Sequence, residues 1–395
     1  MYNKLLLLFF IVSIVTTTAL SQVQTFSVGL NQTDRNYAVQ DSHVISRHAT
    51  IHNNKLFLFF GGSFSSAKDY GLIGRVAASI GYDVVSLSYP NDVGVNPLGA
   101  TADSLVFDKF RQEICFGTPL SNFVAVDTFN AIYTRTVKLV QYLATTYPTQ
   151  NWQQHLTTNN TLNWNKIAVG GHSQGSGHSA YLAKFFPVER NVMFSGPNDF
   201  SVYYNKSARW LRQAGVTPAA KQFAFLHLQD EIVPFSQQYE NVKGLGLLQT
   251  VDSLKTDYTI APYLNARCLY SNLPAAVSGQ YHGSTVVAIY TPLNAGNAVF
   301  LPVWQYMLTA STTTKIESPT TPTSTIKVFP NPSNGIINIQ ILDNESGTIK
   351  LINTIGQVVL TKKIERTLQQ LSIDHLPKGV YYVRFKDYSI PIILE

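Results

Sequence analysis

The chain has 395 residues, of which 45% are hydrophobic and 13% are charged, and its formal net charge is +6 at pH 7. This composition excludes a largely disordered protein, because enough apolar surface is present to form a core. The length exceeds that of a usual single core and favours two domains. The positive charge is not gathered into a basic run, so the sequence does not indicate nucleic acid as a partner.

Residues 1–21 have the pattern of a secretory signal peptide. Lys4 precedes an apolar stretch over residues 5–15, and Ala19 and Ser21 provide small residues before a cleavage site at Gln22. The stretch is shorter than the roughly 18 apolar residues that a membrane span needs, and no other stretch of the sequence approaches that length. We therefore predict export with removal of this segment, and not an integral membrane protein. An uncleaved anchor is the alternative.

Apolar strands alternate with amphipathic helices in the region that follows. A strand is predicted over residues 55–60, a helix near 69–80 and another strand over 82–89. Such alternation is typical of a mostly parallel sheet covered by helices on both faces, which is the α/β class.

The segment 91–122 interrupts this alternation and is rich in Gly, Pro and Asn. It follows the carboxyl end of a strand, where ligands bind in open α/β sheets. Two interpretations remain open for it: part of the substrate pocket or a cap, or a surface loop without a role in binding. A helix is predicted beyond it from apolar residues at three- and four-residue steps, namely Phe129, Ile132, Tyr133, Val137, Val140 and Leu143.

A nucleophilic serine is predicted at Ser173. The pentapeptide Gly171-His172-Ser173-Gln174-Gly175 follows the short strand pattern 166–170 and precedes an apolar helical pattern. A strand, a sharp turn and a helix in this order lift one serine hydroxyl above a sheet. The two glycines leave room for the strained backbone of the serine. An ordinary Gly-rich turn before a helix is the alternative.

Two acidic residues and one histidine complete the candidate set. Asp230 follows the buried strand pattern 222–228 and begins an Asp-x-x-Val-Pro turn, whereas Asp199 follows an earlier strand. Asp230 is the preferred acid and Asp199 the alternative. His282 is flanked by glycine in a predicted loop and is the expected base. The other histidines near these motifs are expected to pack or to form hydrogen bonds: His172, His178 and His227.

The chemistry explains why these residue types belong together. A serine hydroxyl is a poor nucleophile until an imidazole takes its proton, and a carboxylate fixes the tautomer of that imidazole. The chain order Ser173, Asp230, His282 resembles the α/β-hydrolase superfamily, and the resemblance covers roughly residues 45–310.

That resemblance implies an oxyanion hole with two backbone donors. One is the N–H of Gln174, and the other comes from the loop after the third strand, where Ser63 or Phe64 is the expected donor. This loop carries Gly61 and Gly62 but lacks the histidine that usually leads it, so the choice between the two amides stays open.

The resemblance also implies an activity. The nucleophile is serine rather than aspartate, which argues against dehalogenase and epoxide hydrolase chemistry, and no metal-binding spacing or dinucleotide fingerprint is present. We expect a secreted serine hydrolase without cofactor or metal, acting on a small-molecule or polymeric carboxylic ester. A peptidase or acyltransferase with the same triad, and a non-catalytic surface binding protein, are the alternatives.

The chain contains two cysteines, Cys115 and Cys268. In an oxidising compartment they could form one disulfide, but their spacing indicates neither a metal site nor a redox motif. A disulfide and two free buried thiols are therefore both open at this point.

The composition changes after the hydrolase-like region, which we place at residues 22–310. Residues 311–325 are rich in Thr, Ser and Pro and are predicted to be an extended linker. Residues 326–395 show short alternating strands separated by turn residues, which indicates a small β-sandwich.

This last segment resembles the C-terminal sorting domain of the type IX secretion system of Bacteroidota. The resemblance lies in three ordered motifs, Val328-Phe329-Pro330-Asn331-Pro332-Ser333-Asn334-Gly335, Asn353-Thr354-Ile355-Gly356-Gln357-Val358-Val359 and Leu376-Pro377-Lys378-Gly379-Val380-Tyr381-Tyr382-Val383-Arg384-Phe385. It implies outer-membrane type IX machinery as a partner and a secreted or surface-attached protein. The chain ends in Glu395, where the family often has a basic residue.

Overall fold

A computed structural model of the protein describes residues 20, 22–34, 41–249, 251–257, 259–312, 326–341, 347–353, 357–364, 368–385 and 388–395. Nearly all of the expected signal peptide and most of the expected linker lie outside these residues. The structure divides into two compact units, residues 1–313 and residues 314–395.

The first unit is built on a nine-stranded sheet. Its strands are β1 (Val23–Gly29), β2 (Ser42–His48), β3 (Leu56–Phe60), β4 (Asp83–Leu87), β5 (Ile167–His172), β6 (Asn191–Phe194), β7 (Gln222–His227), β8 (Leu254–Lys255) and β9 (Cys268–Ser271). Their spatial order is β1-β2-β4-β3-β5-β6-β7-β9-β8. Strand β2 runs antiparallel to both of its neighbours, and the other pairs of this sheet are parallel. The prediction of a mostly parallel sheet is confirmed.

Helices connect these strands. The α-helices are α1 (Leu30–Thr33), α2 (Gly71–Ser79), α3 (Val106–Phe116), α4 (Ile132–Thr146), α5 (Gln174–Phe185), α6 (Phe235–Gly244), α7 (Tyr281–Ser284) and α8 (Leu301–Thr309). Short 3₁₀ helices occur at Ala67–Tyr70, Asn96–Ala100, Pro148–Gln150, Trp152–His155, Trp164–Lys166, Arg209–Arg212, Ala219–Lys221 and Tyr263–Asn265. Two short antiparallel strand pairs lie outside the main sheet, Phe200–Ser201 with Lys206–Ser207 and Leu293–Asn294 with Asn297–Ala298.

The central strands are apolar on both sides because each face is covered by helices. In β3, Leu56, Leu58 and Phe60 belong to one buried cluster, which also contains the apolar residues of α3, α4 and α5. Phe57 and Phe59 of the same strand belong to the cluster on the opposite face, with α2 and α8. Successive side chains of this strand point to opposite faces of the sheet and therefore pack into two separate cores.

Segment 91–122 has two structurally different parts. Gly94, Val95, Asn96 and Pro97, in its first part, line a cavity that Ser173 and His282 also line. Its second part is the helix α3, whose apolar residues are buried in the core. The segment is therefore neither a cap nor a surface loop as a whole. The predicted helix beyond it begins only at Ile132, so the expectation for Phe129, which is 51% exposed, was wrong.

A buried ion pair ties α3 to the sheet. Arg111 of α3 and Asp199, which follows β6, are both fully buried, and Arg111 donates from Nε to Asp199 Oδ2 at 3.1 Å and from Nη2 to Oδ1. Arg111 Nη1 also donates to the carbonyl oxygen of Gln174 at 2.7 Å. A Cβ at position 177 would clash with the guanidinium group of Arg111, so Gly177 makes room for the ion pair. This pair therefore connects α3, the loop after β6 and the start of α5.

The second unit consists of two antiparallel sheets around one core. Its strands are β10 (Ile326–Phe329), β11 (Ile336–Ile341), β12 (Gly347–Asn353), β13 (Val358–Ile364), β14 (Leu368–Ser372), β15 (Gly379–Phe385) and β16 (Tyr388–Leu394). One sheet has the order β10-β11-β14 and the other β13-β12-β15-β16. Residues of both sheets, such as Ile339 and Val383, share a buried apolar cluster. This is the small β-sandwich that the alternating pattern predicts.

We expect Arg111→Met to lower the free energy of unfolding by about 3–5 kcal/mol, because it leaves the buried carboxylate of Asp199 without its cation. Lys109→Met is the matched control on the same helix. Lys109 pairs with Asp103 at 2.8 Å, but both side chains are about 40% exposed, at 39% and 41%. Loss of such an exposed pair should change stability by about 0–1 kcal/mol. Denaturant unfolding of both variants measures the difference, and equal effects would contradict the importance of the Arg111–Asp199 pair.

Candidate active site

The candidate nucleophile lies in a strained turn between β5 and α5. Ser173 has φ 54° and ψ −120°, a sparsely populated conformation for a residue with a side chain. A Cβ at Gly171 would meet the backbone of Gly175, and a Cβ at Gly175 would meet the carbonyl of Phe60. Ser173 is half-buried, whereas the other four residues of the pentapeptide are buried. The turn therefore depends on both glycines and leaves the serine as its accessible member.

The structure brings Asp230 and His282 into direct contact. Asp230 lies just after β7, and His282 lies in α7, a single helical turn rather than the predicted loop. His282 Nδ1 is 2.7 Å from Asp230 Oδ2. An ionised carboxylate only accepts hydrogen bonds, so Nδ1 is the donor in this contact, and Nε2 of the neutral imidazole then carries a lone pair. Among the described residues, the buried Nε2 atom has no hydrogen-bond partner.

Asp230 is held in its ionised form by the groups around it. Its Oδ1 accepts the N–H groups of Ile232 at 3.0 Å and Val233 at 2.8 Å, and its Oδ2 accepts a hydrogen bond from Gln238 Nε2 at 2.8 Å. Burial acts to raise the pKa of Asp230, but His282 and these donors outweigh it and hold the pKa below its usual value. The carboxylate is therefore charged at neutral pH and stabilises a protonated His282.

The alternative acid, Asp199, has other partners. It accepts hydrogen bonds from Arg111 and from Trp210 Nε1, the latter at 2.8 Å. Its side chain is fully buried among these groups. This arrangement gives Asp199 a structural task and supports Asp230 as the residue that orients His282.

The candidate oxyanion donors differ in their availability. The N–H of Phe64 donates to the carbonyl oxygen of Asn91 at 2.8 Å, so it is already engaged. Within the described part of the chain, no hydrogen-bond partner is present for the N–H of Ser63 or of Gln174. The Ser63 hydroxyl donates to Gln174 Oε1 at 2.8 Å, which connects the two segments. The geometry therefore favours Ser63 over Phe64 beside Gln174.

A cavity of about 630 Å³ contains both Ser173 and His282. The segment that holds Ser63 and Phe64 forms one wall, and α7 with the residues after it forms another. Three large apolar side chains of this cavity remain more than half exposed: Phe64 at 75%, Ile232 at 54% and Ile289 at 69%. Ser173 thus lies in an open cavity with an apolar rim.

Several residues of the site were not identified from the sequence. Asn198 Nδ2 donates to Ser173 Oγ at 3.3 Å. Glu231 Oε2 accepts the backbone N–H of His282 at 2.9 Å, and Ser195 Oγ donates to the His282 carbonyl oxygen at 2.7 Å. Ser195 and Asn198 closely precede Asp199 in the chain, and Glu231 follows Asp230. Nearness to the two candidate acids was therefore the sequence signal that could have identified these three residues.

The three other histidines near the site motifs pack or form hydrogen bonds, as predicted. His172 Nε2 is 3.1 Å from the carbonyl oxygen of His282. His178 is buried and lies near Cys115, with 3.7 Å between Nδ1 and Sγ. His227 Nε2 lies 2.8 Å from the carbonyl oxygen of Leu273.

Both Cys115 and Cys268 are buried and free, so the structure contains no disulfide between them.

Comparison with known proteins identifies the C-terminal segment. Residues 327–392 match the secretion system C-terminal sorting domain. The predicted type IX sorting domain is confirmed, and the chain carries a signal for export to the cell surface or the medium. This match supports an interaction with the secretion machinery. Within the part of the chain that the structure describes, no helix is long and apolar enough to cross a membrane.

The chain is also compared with curated proteins and with solved structures. No curated protein matches the chain. A crystal structure of a protein assigned as a dienelactone hydrolase, from Klebsiella pneumoniae subsp. pneumoniae MGH 78578, is 11% identical and has a TM-score of 0.36, covering 72% of this chain and 97% of that chain. The predicted α/β fold class, a mostly parallel sheet covered by helices on both faces, is confirmed by the strand order and by the two buried clusters of the first unit.

If Asp230 orients His282, Asp230→Asn should lower kcat by roughly 10⁴-fold, because the amide favours the wrong imidazole tautomer. Asp199→Asn is the matched control: it should leave kcat of the folded fraction nearly normal but destabilise the fold through Arg111. Kinetics on one activated ester and thermal unfolding of both variants separate these effects. A nearly normal kcat for Asp230→Asn beside a collapsed kcat for folded Asp199→Asn would assign the acid to Asp199.

Proposed function

We propose that this protein is a secreted serine hydrolase that cleaves carboxylic esters through an acyl-enzyme intermediate. The observation that carries the proposal is the 2.7 Å contact between His282 and Asp230. His282 Nε2, which has no hydrogen-bond partner among the described residues, lies in the same cavity as the strained Ser173. A nucleophile, a base and an acid that orients the base are the parts that acyl transfer requires.

Each residue then has one task in the proposed reaction. His282 Nε2 takes the proton of Ser173 while Oγ attacks the ester carbonyl carbon. The N–H groups of Gln174 and Ser63 stabilise the negative oxygen that develops, and Asp230 stabilises the imidazolium. His282 then protonates the leaving alcohol, and the acyl group stays on Ser173. A water molecule activated by the same imidazole releases the acid and regenerates the serine.

The cavity supports an uncharged apolar substrate. Phe64, Ile232 and Ile289 expose apolar surface beside the nucleophile, and such surface usually marks a ligand-binding region. Two carboxyl side chains, Asp69 and Glu231, also line the cavity and would repel an anionic substrate. An ester with an apolar acyl group satisfies both conditions.

We expect Ser173→Ala to abolish ester hydrolysis, with a loss of about 10⁶-fold in kcat, because the change removes the nucleophile and buries no new polar group. Ser79→Ala is the matched control, since Ser79 Oγ only donates to the Val76 carbonyl oxygen of α2. Hydrolysis of p-nitrophenyl esters of increasing chain length and labelling by a fluorophosphonate are measured side by side. Full turnover by Ser173→Ala would disprove the assignment, and cleavage of peptides but not esters would favour a peptidase.

Deletion of the sorting domain should separate export from catalysis. A chain that ends near Ser311 keeps both buried clusters of the first unit, because the cluster of the second unit contains residues 326–394 only. We expect this protein to hydrolyse ester normally but to stay in the periplasm of a host with the type IX system. Fractionation and activity assays measure the two properties. Unchanged secretion, or loss of the unfolding transition of the shortened protein, would show that the second unit has another role.

A further inference from the structure

Two fully buried side chains connect the oxyanion loop with His282. Tyr70, at the end of the 3₁₀ helix Ala67–Tyr70, accepts the backbone N–H of Gly62 at 2.8 Å. The Tyr70 hydroxyl oxygen is 3.1 Å from His172 Nδ1. His172 Nε2 is in turn 3.1 Å from the carbonyl oxygen of His282. The chain of contacts thus runs from the residue before Ser63 to the backbone of the proposed base.

The carbonyl oxygen of His282 determines which nitrogen of His172 donates in this chain of contacts. A carbonyl oxygen only accepts, so the ring proton of His172 must lie on Nε2 to bond His282. Nδ1 then carries a lone pair that can accept the proton of the Tyr70 hydroxyl, and Ser65 Oγ, also 3.1 Å from the Tyr70 oxygen, is a second acceptor for that proton. Burial lowers the pKa of His172 to about 3 and raises that of Tyr70 to about 12. The imidazole therefore stays neutral and the phenol stays protonated throughout the neutral range.

Hydrogen bonds hold the carbonyl group of Gly62 as well as its N–H. Its carbonyl oxygen accepts hydrogen bonds from Ser65 Oγ at 2.7 Å and from Asn91 Nδ2 at 2.8 Å. A Cβ at Gly62 would approach His172 Nδ1 and Ser173 Cβ to 3.2 Å, so glycine allows the close packing of loop and strand. The orientation of the Ser63 N–H is thereby tied to the position of His172.

We propose that Tyr70 and His172 are positioning residues that align the oxyanion donor of Ser63 with the imidazole of His282. This inference rests on the proposed hydrolase function and adds two residues that do not touch the reacting atoms. The rate of acyl transfer depends on both the donor and the base being in place, and a misplacement of about 1 Å can cost roughly 10²-fold. The chain of hydrogen bonds makes the two positions interdependent.

Tyr70→Phe removes only the hydroxyl and tests the first link. We expect kcat to fall by about 10- to 100-fold, with KM changed by less than about 3-fold, because alignment matters in the transition state rather than in ground-state binding. Tyr82→Phe is the matched control, since Tyr82 is also buried but donates to the Leu308 carbonyl oxygen at 3.1 Å, away from the cavity. A fall in kcat no larger than that of Tyr82→Phe, or a rise in KM alone, would overturn the proposal.

Variants of His172 test the second link. His172→Leu should lower kcat as Tyr70→Phe does, and His172→Gln should recover much of it because its amide can donate to the His282 carbonyl oxygen. The double variant Tyr70→Phe/His172→Leu should be little worse than either single variant, since both break one chain. Rates are divided by the concentration of sites that a fluorophosphonate titrates. Multiplicative losses, or no rescue by glutamine, would overturn the proposal.

The tautomer of His172 provides a readout that needs no substrate. In protein labelled with ¹⁵N-histidine, His172 should be neutral with its proton on Nε2 from about pH 5 to about pH 8, although an ordinary histidine titrates in this range. The spectrum of His172→Gln assigns the signal. A proton on Nδ1, or titration within the range, would overturn the proposal even if a variant failed to fold. Absence of ester turnover by the unmodified protein would instead refute the proposed function.

Discussion

The site depends on a backbone constraint at Ser173. Its positive φ is unfavourable for a residue with a side chain, and the surrounding structure has to maintain it. Arg111 contributes by donating to the carbonyl oxygen of Gln174, the residue after the serine, and Asp199 holds Arg111. The ion pair is fully buried, so removal of one partner would leave an uncompensated buried charge. A charged pair in the core thus connects α3 to the residue that directly follows the serine.

The two carboxylates that follow β6 and β7 illustrate how surroundings determine a role. Asp199 is paired with a permanent cation and with the indole N–H of Trp210, and no imidazole is among its hydrogen-bond partners in the described part of the chain. Asp230 is surrounded by neutral donors, and His282 is the group beside it that can become charged. A carboxylate of this kind can respond to protonation of the histidine during a reaction. Both residues occupy strand ends, so strand position alone does not distinguish them.

Much of the fold and the principal residues of the candidate site were predictable from local patterns. The apolar strands, the glycines around Ser173 and the order of serine, acid and histidine are all visible in short segments. The role of α3 was not predictable, because the Gly and Pro residues before it obscured a helix that fills the core. The tasks of Asn198, Glu231 and Tyr70 depend on side-chain directions between distant segments. A single sequence contains no signal for such contacts.

His172 shows most clearly what a single sequence does not reveal. A histidine between glycine and the nucleophile is consistent with packing, with hydrogen bonding or with catalysis, and its neighbours in the chain do not decide between them. The decision comes from Tyr70 and from the backbone of His282, which are 102 and 110 residues away in the sequence. Once those contacts are known, proton counting leaves a single tautomer for a neutral imidazole. The proton position of this residue thus depends on tertiary structure, whereas the sharp turn at Ser173 was already indicated by the glycines of its own pentapeptide.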